Sequence, residues 1–176
     1  MLNLDGKSLT TPTKIDSHIS SFCRRLSSTA PEFVDVLSEP WCRQSCCEIN
    51  VDKYIEEHGG DKIIGYKVWY LRNKFIEAER HVIYKSGDSY RDLTFNTDGE
   101  EIILFVPDSN PSQGYDDRPL KIRKGITQKA RYLVKAMELQ DASTVQMSNE
   151  ESWNTMPTYE DWLKGKRVPN LIPTIG

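Results

Sequence analysis

Helix-like and strand-like hydrophobic patterns follow one another along the chain. Apolar residues three or four positions apart predict a helix over 14–28. A second helical stripe covers 47–58 and ends at the pair Gly59–Gly60. A third amphipathic pattern predicts a long helix over 125–140, and "TYEDWLKG" predicts a short helix closer to the C-terminus.

Runs rich in β-branched and aromatic residues lie between the second and third helices. The runs over 61–72 and 75–84 predict two strands joined by the turn "RNK". Gly87–Asp88 predict a tight turn into a further extended run, and "EIILFVP" predicts a strand that stops at Pro107. The pattern therefore predicts an α+β fold: a helix packed on an antiparallel sheet of about four strands, with flanking helices.

The length of 176 residues favours one domain with a sizeable core. Polar residues over 1–14 predict a flexible N-terminal arm, and 15–176 are predicted to form a single domain. Within that domain, 109–176 are predicted to be a mainly helical extension with an extended end, "VPNLIPTIG".

Charge and hydropathy narrow the class of function. The net charge of -3 gives no basic balance that would favour nucleic-acid binding, and "KIRKG" is interpreted as a solvated basic patch. The sequence has no apolar run long enough for a membrane span and no signal-peptide pattern. We therefore expect a cytoplasmic protein without nucleic-acid or membrane partners.

The four cysteines, which lie at positions 23, 42, 46 and 47, are expected to be free thiols. Ser45 and Glu48 have the spacing of a capping box, so the second helix is predicted to begin there. Counting back one turn from Val51 places Cys47 on the apolar face in the first turn. The same count places Cys46 on the polar face, and we interpret it as a bystander.

A histidine and an aspartate are predicted to meet in the sheet. If Gly87–Asp88 form a two-residue hairpin turn, Asp92 lies opposite Ile83, and His81 shares a face with Ile83. Asp92 is then close enough to orient the His81 ring. A helix N-terminus stabilises a thiolate at Cys47, and an imidazolium nearby adds to that effect.

A thiolate, an imidazole and a carboxylate together form the layout for attack on an acyl carbon. Backbone amides around Cys47 are candidate donors to the oxyanion, and the side chain of Gln44 or Trp41 is a candidate to complete the hole. No metal or organic cofactor is required for this chemistry.

The segments "CCEINV", "IIGYKVWY", "IEAERHVIY" and "YRDLT" resemble the core of the transglutaminase-like superfamily of papain-fold cysteine enzymes. The chain is also similar to a small set of bacterial and phage proteins, some of which carry a zinc-binding SEC-C tail; this sequence has no cysteine after Cys47. The resemblance covers about 40–108. It implies a papain-like fold, with Cys47 as the nucleophile, His81 as general base and acid, and Asp92 as the orienting carboxylate. Arg80, beside His81, departs from the pattern.

The expected function is thiol-dependent acyl transfer at an amide, isopeptide or ester carbonyl of a protein or peptide. Peptidase, deamidase and transglutaminase activities stay open, and the loop Asp108–Arg118 is expected to contribute to substrate recognition. The alternative is a catalytically inactive binding module on the same fold that engages a host protein or a small ligand. Two further alternatives are a buried core thiol at Cys47 and a zinc site from Cys42, Cys46, Cys47 and one histidine.

Overall fold

One antiparallel sheet of six strands organises the computed structural model, which describes residues 9–168. The strand order is β1-β5-β2-β3-β4, and β6 pairs with β3 beside β4. The strands are β1 (Glu32–Asp35), β2 (Asp61–Leu71), β3 (Phe75–Ser86), β4 (Ser89–Arg91), β5 (Ile102–Pro107) and β6 (Lys121–Gly125). The helices are α1 (Ser17–Leu26), α2 (Cys47–His58), α3 (Gln128–Ser143), α4 (Asn149–Thr155) and α5 (Tyr159–Leu163). The predicted α+β class is confirmed.

The long hairpin of β2 and β3 sets the register of the sheet. Its strands pair from Asp61 opposite Lys85 to Leu71 opposite Phe75, and Asn73 in the turn has a φ of 62°. Asparagine tolerates this left-handed conformation better than most residues. The predicted strands and the turn "RNK" are therefore confirmed.

The N-terminal helix α1 packs on one face of this sheet. Asp16 caps it by accepting a hydrogen bond from the backbone N–H of Ile19 at 2.9 Å. Ile19 and Phe22 are buried against sheet residues that include Tyr66 and Val68. Burying such side chains stabilises the fold by about 1.5–3 kcal/mol each, so this face forms the main core.

The second helix, α2, packs beside β3, where Val51 contacts Val82 and Tyr84. It begins at Cys47 with Cys46 as N-cap, so the predicted capping box from Ser45 is wrong. The reason is the backbone: Ser45 has a φ of 57°, whereas an N-cap residue takes an extended conformation. The predicted end at Gly59 is confirmed by a φ of 68° and a bond from its N–H to the Ile55 carbonyl.

In the described residues the sheet has six strands rather than the predicted four or so. The two additional strands are β1 and β6. β1 is only four residues long and pairs with β5, which is distant in sequence. The "KIRKG" segment is β6 and not a solvated patch, since Lys121 and Arg123 form ion pairs with Glu77 on β3.

The described part of the N-terminal arm, from residue 9, contacts the body of the protein. Residues 1–8 of the predicted arm and 169–176 of the predicted extended end lie outside the described residues. In the remainder of the arm, Thr10 forms a β-bridge with Tyr70, and the Thr11 hydroxyl donates to Glu100 at 3.2 Å. Between residues 9 and 168, none of the helices has the length and apolar character to traverse a bilayer.

Candidate functional site

His81 and Asp92 form a buried pair beside the sheet. Ser86 lies opposite Ser89, as the hairpin prediction required, and Asp92 follows β4 directly. Nε2 of His81 donates to Oδ2 of Asp92 at 2.9 Å, and the two residues are 4% and 0% exposed. Oδ1 of Asp92 accepts from the backbone N–H of Thr94 at 2.9 Å. The carboxylate therefore has a fixed orientation and leaves Nδ1 of His81 free of this bond.

The electrostatics of this pair favour a charged imidazole. Burial by itself lowers the pKa of His81, and the nearby ammonium of Lys67 lowers it further. The Asp92 carboxylate, assisted by Cys47, outweighs both effects and raises the pKa of His81 from 6.5 to about 9. At neutral pH the ring is therefore an imidazolium that can give up a proton.

Cys47 is the first residue of α2 and is 7% exposed. The first backbone hydrogen bond of this helix runs from Asn50 N–H to the Cys46 carbonyl at 2.9 Å, and no side chain caps the helix. The amides of Cys47, Glu48 and Ile49 thus have no intrahelical partner, as at any helix start. Uncapped amides at this end of the helix dipole favour negative charge on the thiol or on a bound oxyanion.

Asn50 connects the start of α2 to the segment that carries Asp92. Its Oδ1 accepts from the Arg43 N–H, and its Nδ2 donates to the Arg43 carbonyl, both at 2.8 Å. Nδ2 also donates to the Thr94 hydroxyl at 2.9 Å. These hydrogen bonds give Asn50 a structural role. The Asn50 side chain is fully buried, and Cys46 is 5% exposed, so the predicted position of Cys46 on a polar face is wrong.

Tyr115 contacts the thiol, which sequence reasoning did not anticipate. The Cys47 thiol donates to the Tyr115 hydroxyl at 4.0 Å, and that hydroxyl donates to the Arg80 carbonyl at 3.1 Å. Burial and the neighbouring Cys47 raise the pKa of the Tyr115 phenol, so it stays protonated. The only sequence signal was an isolated aromatic residue in the polar loop Asp108–Arg118.

Arg80 holds that loop in place from the opposite face of β3. Its guanidinium forms an ion pair with Asp108 at 2.7 Å and donates to the carbonyls of Tyr115 at 2.9 Å and Gly114 at 2.8 Å. The pairing with Asp108 offsets its charge. The departure at Arg80 therefore serves to anchor the residue that touches Cys47.

A cavity of about 630 Å³ opens beside these groups. Cys47, His81 and Gln44 line it, together with charged side chains from β2, β3 and β6. Nε2 of Gln44 donates to the Thr97 hydroxyl at 3.0 Å, which leaves its second amide hydrogen. Trp41 packs in the hydrophobic cluster around α2 and does not line the cavity.

The other three thiols are all buried. Burial raises the pKa of Cys23 to about 11, of Cys42 to about 12 and of Cys46 to about 11. These thiols are therefore protonated at neutral pH and poor nucleophiles. In the described part of the chain, no three His, Cys, Asp or Glu side chains come together in a way that could hold a metal ion.

Comparisons with known proteins give no relative from which a function could be assigned. No family model, no curated protein and no solved structure matches the chain.

Proposed function

We propose that the protein is a thiol-dependent acyl-transfer enzyme that attacks the amide, isopeptide or ester carbonyl of a peptide or protein. The observation that carries this proposal is the buried His81–Asp92 pair, which lines the same cavity as Cys47 at the uncapped start of α2. A nucleophile, a proton carrier and an orienting carboxylate are the parts that this chemistry needs.

The order of these parts supports a papain-like core. A helix begins at the nucleophile, and three antiparallel strands follow, with His81 on the second of them and Asp92 just after the third. The imidazole is bonded to the carboxylate through Nε2, so Nδ1 is the nitrogen that exchanges a proton with the thiol. This arrangement agrees with the transglutaminase-like resemblance of "CCEINV" and "IEAERHVIY".

In the proposed reaction, Cys47 reacts as a thiolate paired with the imidazolium of His81, whose Nδ1 carries the thiol proton, and Sγ attacks the carbonyl carbon. A C–S bond forms, and the carbonyl π electrons move to oxygen. The oxyanion is held by the Cys47 N–H and the free amide hydrogen of Gln44. As the oxyanion collapses, the C–N bond breaks, and the imidazolium gives its proton to the leaving amine. A thioester remains.

Water, or a second amine, then resolves the thioester. His81 takes a proton from the incoming nucleophile, which attacks the same carbon, and the C–S bond breaks to regenerate the thiolate. With water, the net change is hydrolysis of one amide to an acid and an amine. No step calls for a metal or an organic cofactor.

The experiment is selective alkylation of the native protein at pH 6.5 with iodoacetamide, followed by peptide mass mapping. Cys47 is expected to be modified first, because it lines the cavity beside an imidazolium. The other three thiols do not line this cavity, and burial raises the pKa of each. His81→Ala should slow the modification of Cys47 at least tenfold. His58→Ala, which removes an exposed histidine at the other end of α2, is the matched control and should leave the rate unchanged.

One observation favours the alternative of an inactive binding module. Among the described residues, the Cys47 thiol donates its hydrogen bond to the Tyr115 hydroxyl, and no hydrogen bond joins this thiol to His81. If Cys47 is alkylated no faster than Cys46, or if His81→Ala leaves its rate unchanged, the enzyme proposal is refuted and the binding module is favoured.

A further inference from the structure

The cavity contains a buried lysine that the proposed mechanism does not use. Lys67 on β2 is 4% exposed and lines the cavity. Its ammonium donates to Oδ1 of Asn96 and lies over the Trp69 ring, 4.5 Å from the centroid. An ammonium carries three donors, and residues 9–168 supply it with one acceptor. Its remaining donors are available to a ligand in the cavity.

The acidic groups that line the cavity near Lys67 bind other cations. Glu79 pairs with Lys121 at 3.1 Å, and Glu77 pairs with Arg123. Asp141 also pairs with Arg123. Within the described ranges, no carboxylate forms an ion pair with Lys67. An unpaired buried charge is costly, and an anionic group from a ligand would offset that cost.

The neighbours of Lys67 are fixed by a single carboxylate. Oε2 of Glu100 accepts from Nε1 of Trp69 at 3.1 Å and from Nδ2 of Asn96 at 3.2 Å. Its Oε1 accepts from the backbone N–H of Thr11. Glu100 therefore holds the two groups that position Lys67. Such preorganisation is typical of a binding site.

The position of Lys67 relates it to the reacting groups. On the paired strands, Gly65 lies opposite His81, and Lys67 lies opposite Glu79. Lys67 and His81 are thus diagonal neighbours on one face, a separation of about 7–8 Å. Their proximity is also reflected in the lowering effect of Lys67 on the His81 pKa. If one ligand places a carbonyl at Cys47, a second group of that ligand, a few bonds away, can reach Lys67.

We propose that Lys67 binds a free carboxylate of the substrate, so that the cavity selects amides with a carboxylate a few bonds from the carbonyl attacked by Cys47. The ligand class is an acyl amino acid or the C-terminal end of a peptide. This inference rests on the proposed function. A substrate without the carboxylate would leave the buried ammonium unpaired, and the cavity would therefore discriminate strongly against such a substrate.

The test uses two alkylating reagents that differ in one group, N-iodoacetylglycine and N-iodoacetylglycinamide. Each reagent's rate at Cys47 is divided by its rate with glutathione, to remove differences in intrinsic reactivity. The carboxylate reagent should be favoured about tenfold at low ionic strength. In Lys67→Met the preference should fall to about twofold or less, whereas Lys62→Met on the same strand, outside the cavity, should keep it.

A second measurement does not depend on a reactive thiol. In Cys47→Ala protein, N-acetylglycine should cause saturable NMR shifts at residues that line the cavity, and N-acetylglycinamide should not. The added Lys67→Met change should abolish these shifts, while circular dichroism confirms the fold.

The outcomes separate the two proposals. If the neutral reagent modifies Cys47 but the carboxylate brings no preference, the inference about Lys67 is overturned and the proposed function stands. A preference that survives in Lys67→Met also overturns it. If neither reagent modifies Cys47, the proposed function fails. Binding of N-acetylglycine that depends on Lys67 would then show a ligand site in a non-catalytic protein.

Discussion

Single residues around the site respond to burial in opposite ways. Burial raises the pKa of Cys42 to about 12 and that of Cys46 to about 11, so both stay neutral thiols at pH 7. Burial by itself lowers the pKa of His81, which is equally buried, yet that pKa rises to about 9 because the Asp92 carboxylate stabilises the imidazolium. One carboxylate therefore decides the charge of the proton carrier.

Replacing that carboxylate tests its role. In Asp92→Asn the amide keeps the shape and the Thr94 contact but not the charge, so burial and Lys67 should bring the pKa of His81 below 6.5. An NMR titration of the His81 ring protons measures this value. Asp98→Asn, an exposed change at the same cavity, should leave the titration near 9. A His81 pKa above 8 in Asp92→Asn would contradict the assignment.

Parts of the site could be predicted from spacing and other parts could not. His81 and Asp92 lie on one hairpin, so alternation and a two-residue turn sufficed to bring them together. The position of Cys47 in the first turn of α2 followed from the spacing of apolar residues along that helix. The position of Tyr115 depends on how a loop folds back onto β3, and no local pattern encodes that. Lys67 lies on the predicted hairpin of β2 and β3, but its burial and its contact with Asn96 depend on residues distant in sequence.

At the scale of elements, the loop Asp108–Arg118 is fastened to β3 through a buried ion pair. The Arg80 and Asp108 side chains are 0% and 3% exposed. Asp108 also binds Arg118 at 2.7 Å. Since the short helical turn Tyr115–Asp117 lies in this loop, the same pair controls where the Tyr115 hydroxyl meets Cys47.

Breaking this pair should have a large and local effect. Arg80→Met leaves Asp108 buried with one partner instead of two, and we expect a loss of about 3 kcal/mol in the free energy of unfolding, measured by urea denaturation. Cys47 should also become more accessible to iodoacetamide as Tyr115 moves away. Lys164→Met, which breaks an exposed pair with Glu160, should change neither quantity. Unchanged stability in Arg80→Met would show that the loop is held by other contacts.

The elements differed in how readily they could be predicted. β2 and β3 are long and follow one another, so their pairing is local. β1 has four residues and pairs with β5 from a distant part of the sequence, which composition does not reveal. β6 reads as a run of cations in "KIRKG", and its strand character depends on Glu77 and Asp141, which neutralise Arg123. Non-local partners therefore explain both missed strands.

For the whole molecule, the His81 charge makes folding depend on pH. The folded protein holds a proton on His81 up to about pH 9, whereas an unfolded histidine releases it near 6.5. The stabilisation that the protonated His81 gives to the folded state is therefore complete below pH 6.5 and is lost as the pH rises towards 9.

This dependence can be measured by urea unfolding at pH 6, 7.5 and 9. The free energy of unfolding of the wild-type protein should decline across this range, and the decline should be smaller in His81→Gln, which cannot take up the proton. His58→Gln, at an exposed histidine, serves as the control and should keep the wild-type slope. Equal slopes in the wild-type protein and His81→Gln would refute the raised pKa.

The alternation of β3 has a consequence for how this protein can change during evolution. Arg80 and His81 are adjacent, yet one anchors a loop on one side of the sheet and the other carries a proton on the opposite side. Gain or loss of one residue within β3 would exchange their faces and abolish both roles together. Length variation among descendants of this chain should therefore be confined to segments outside 75–92. Within that window, change can proceed only by substitution.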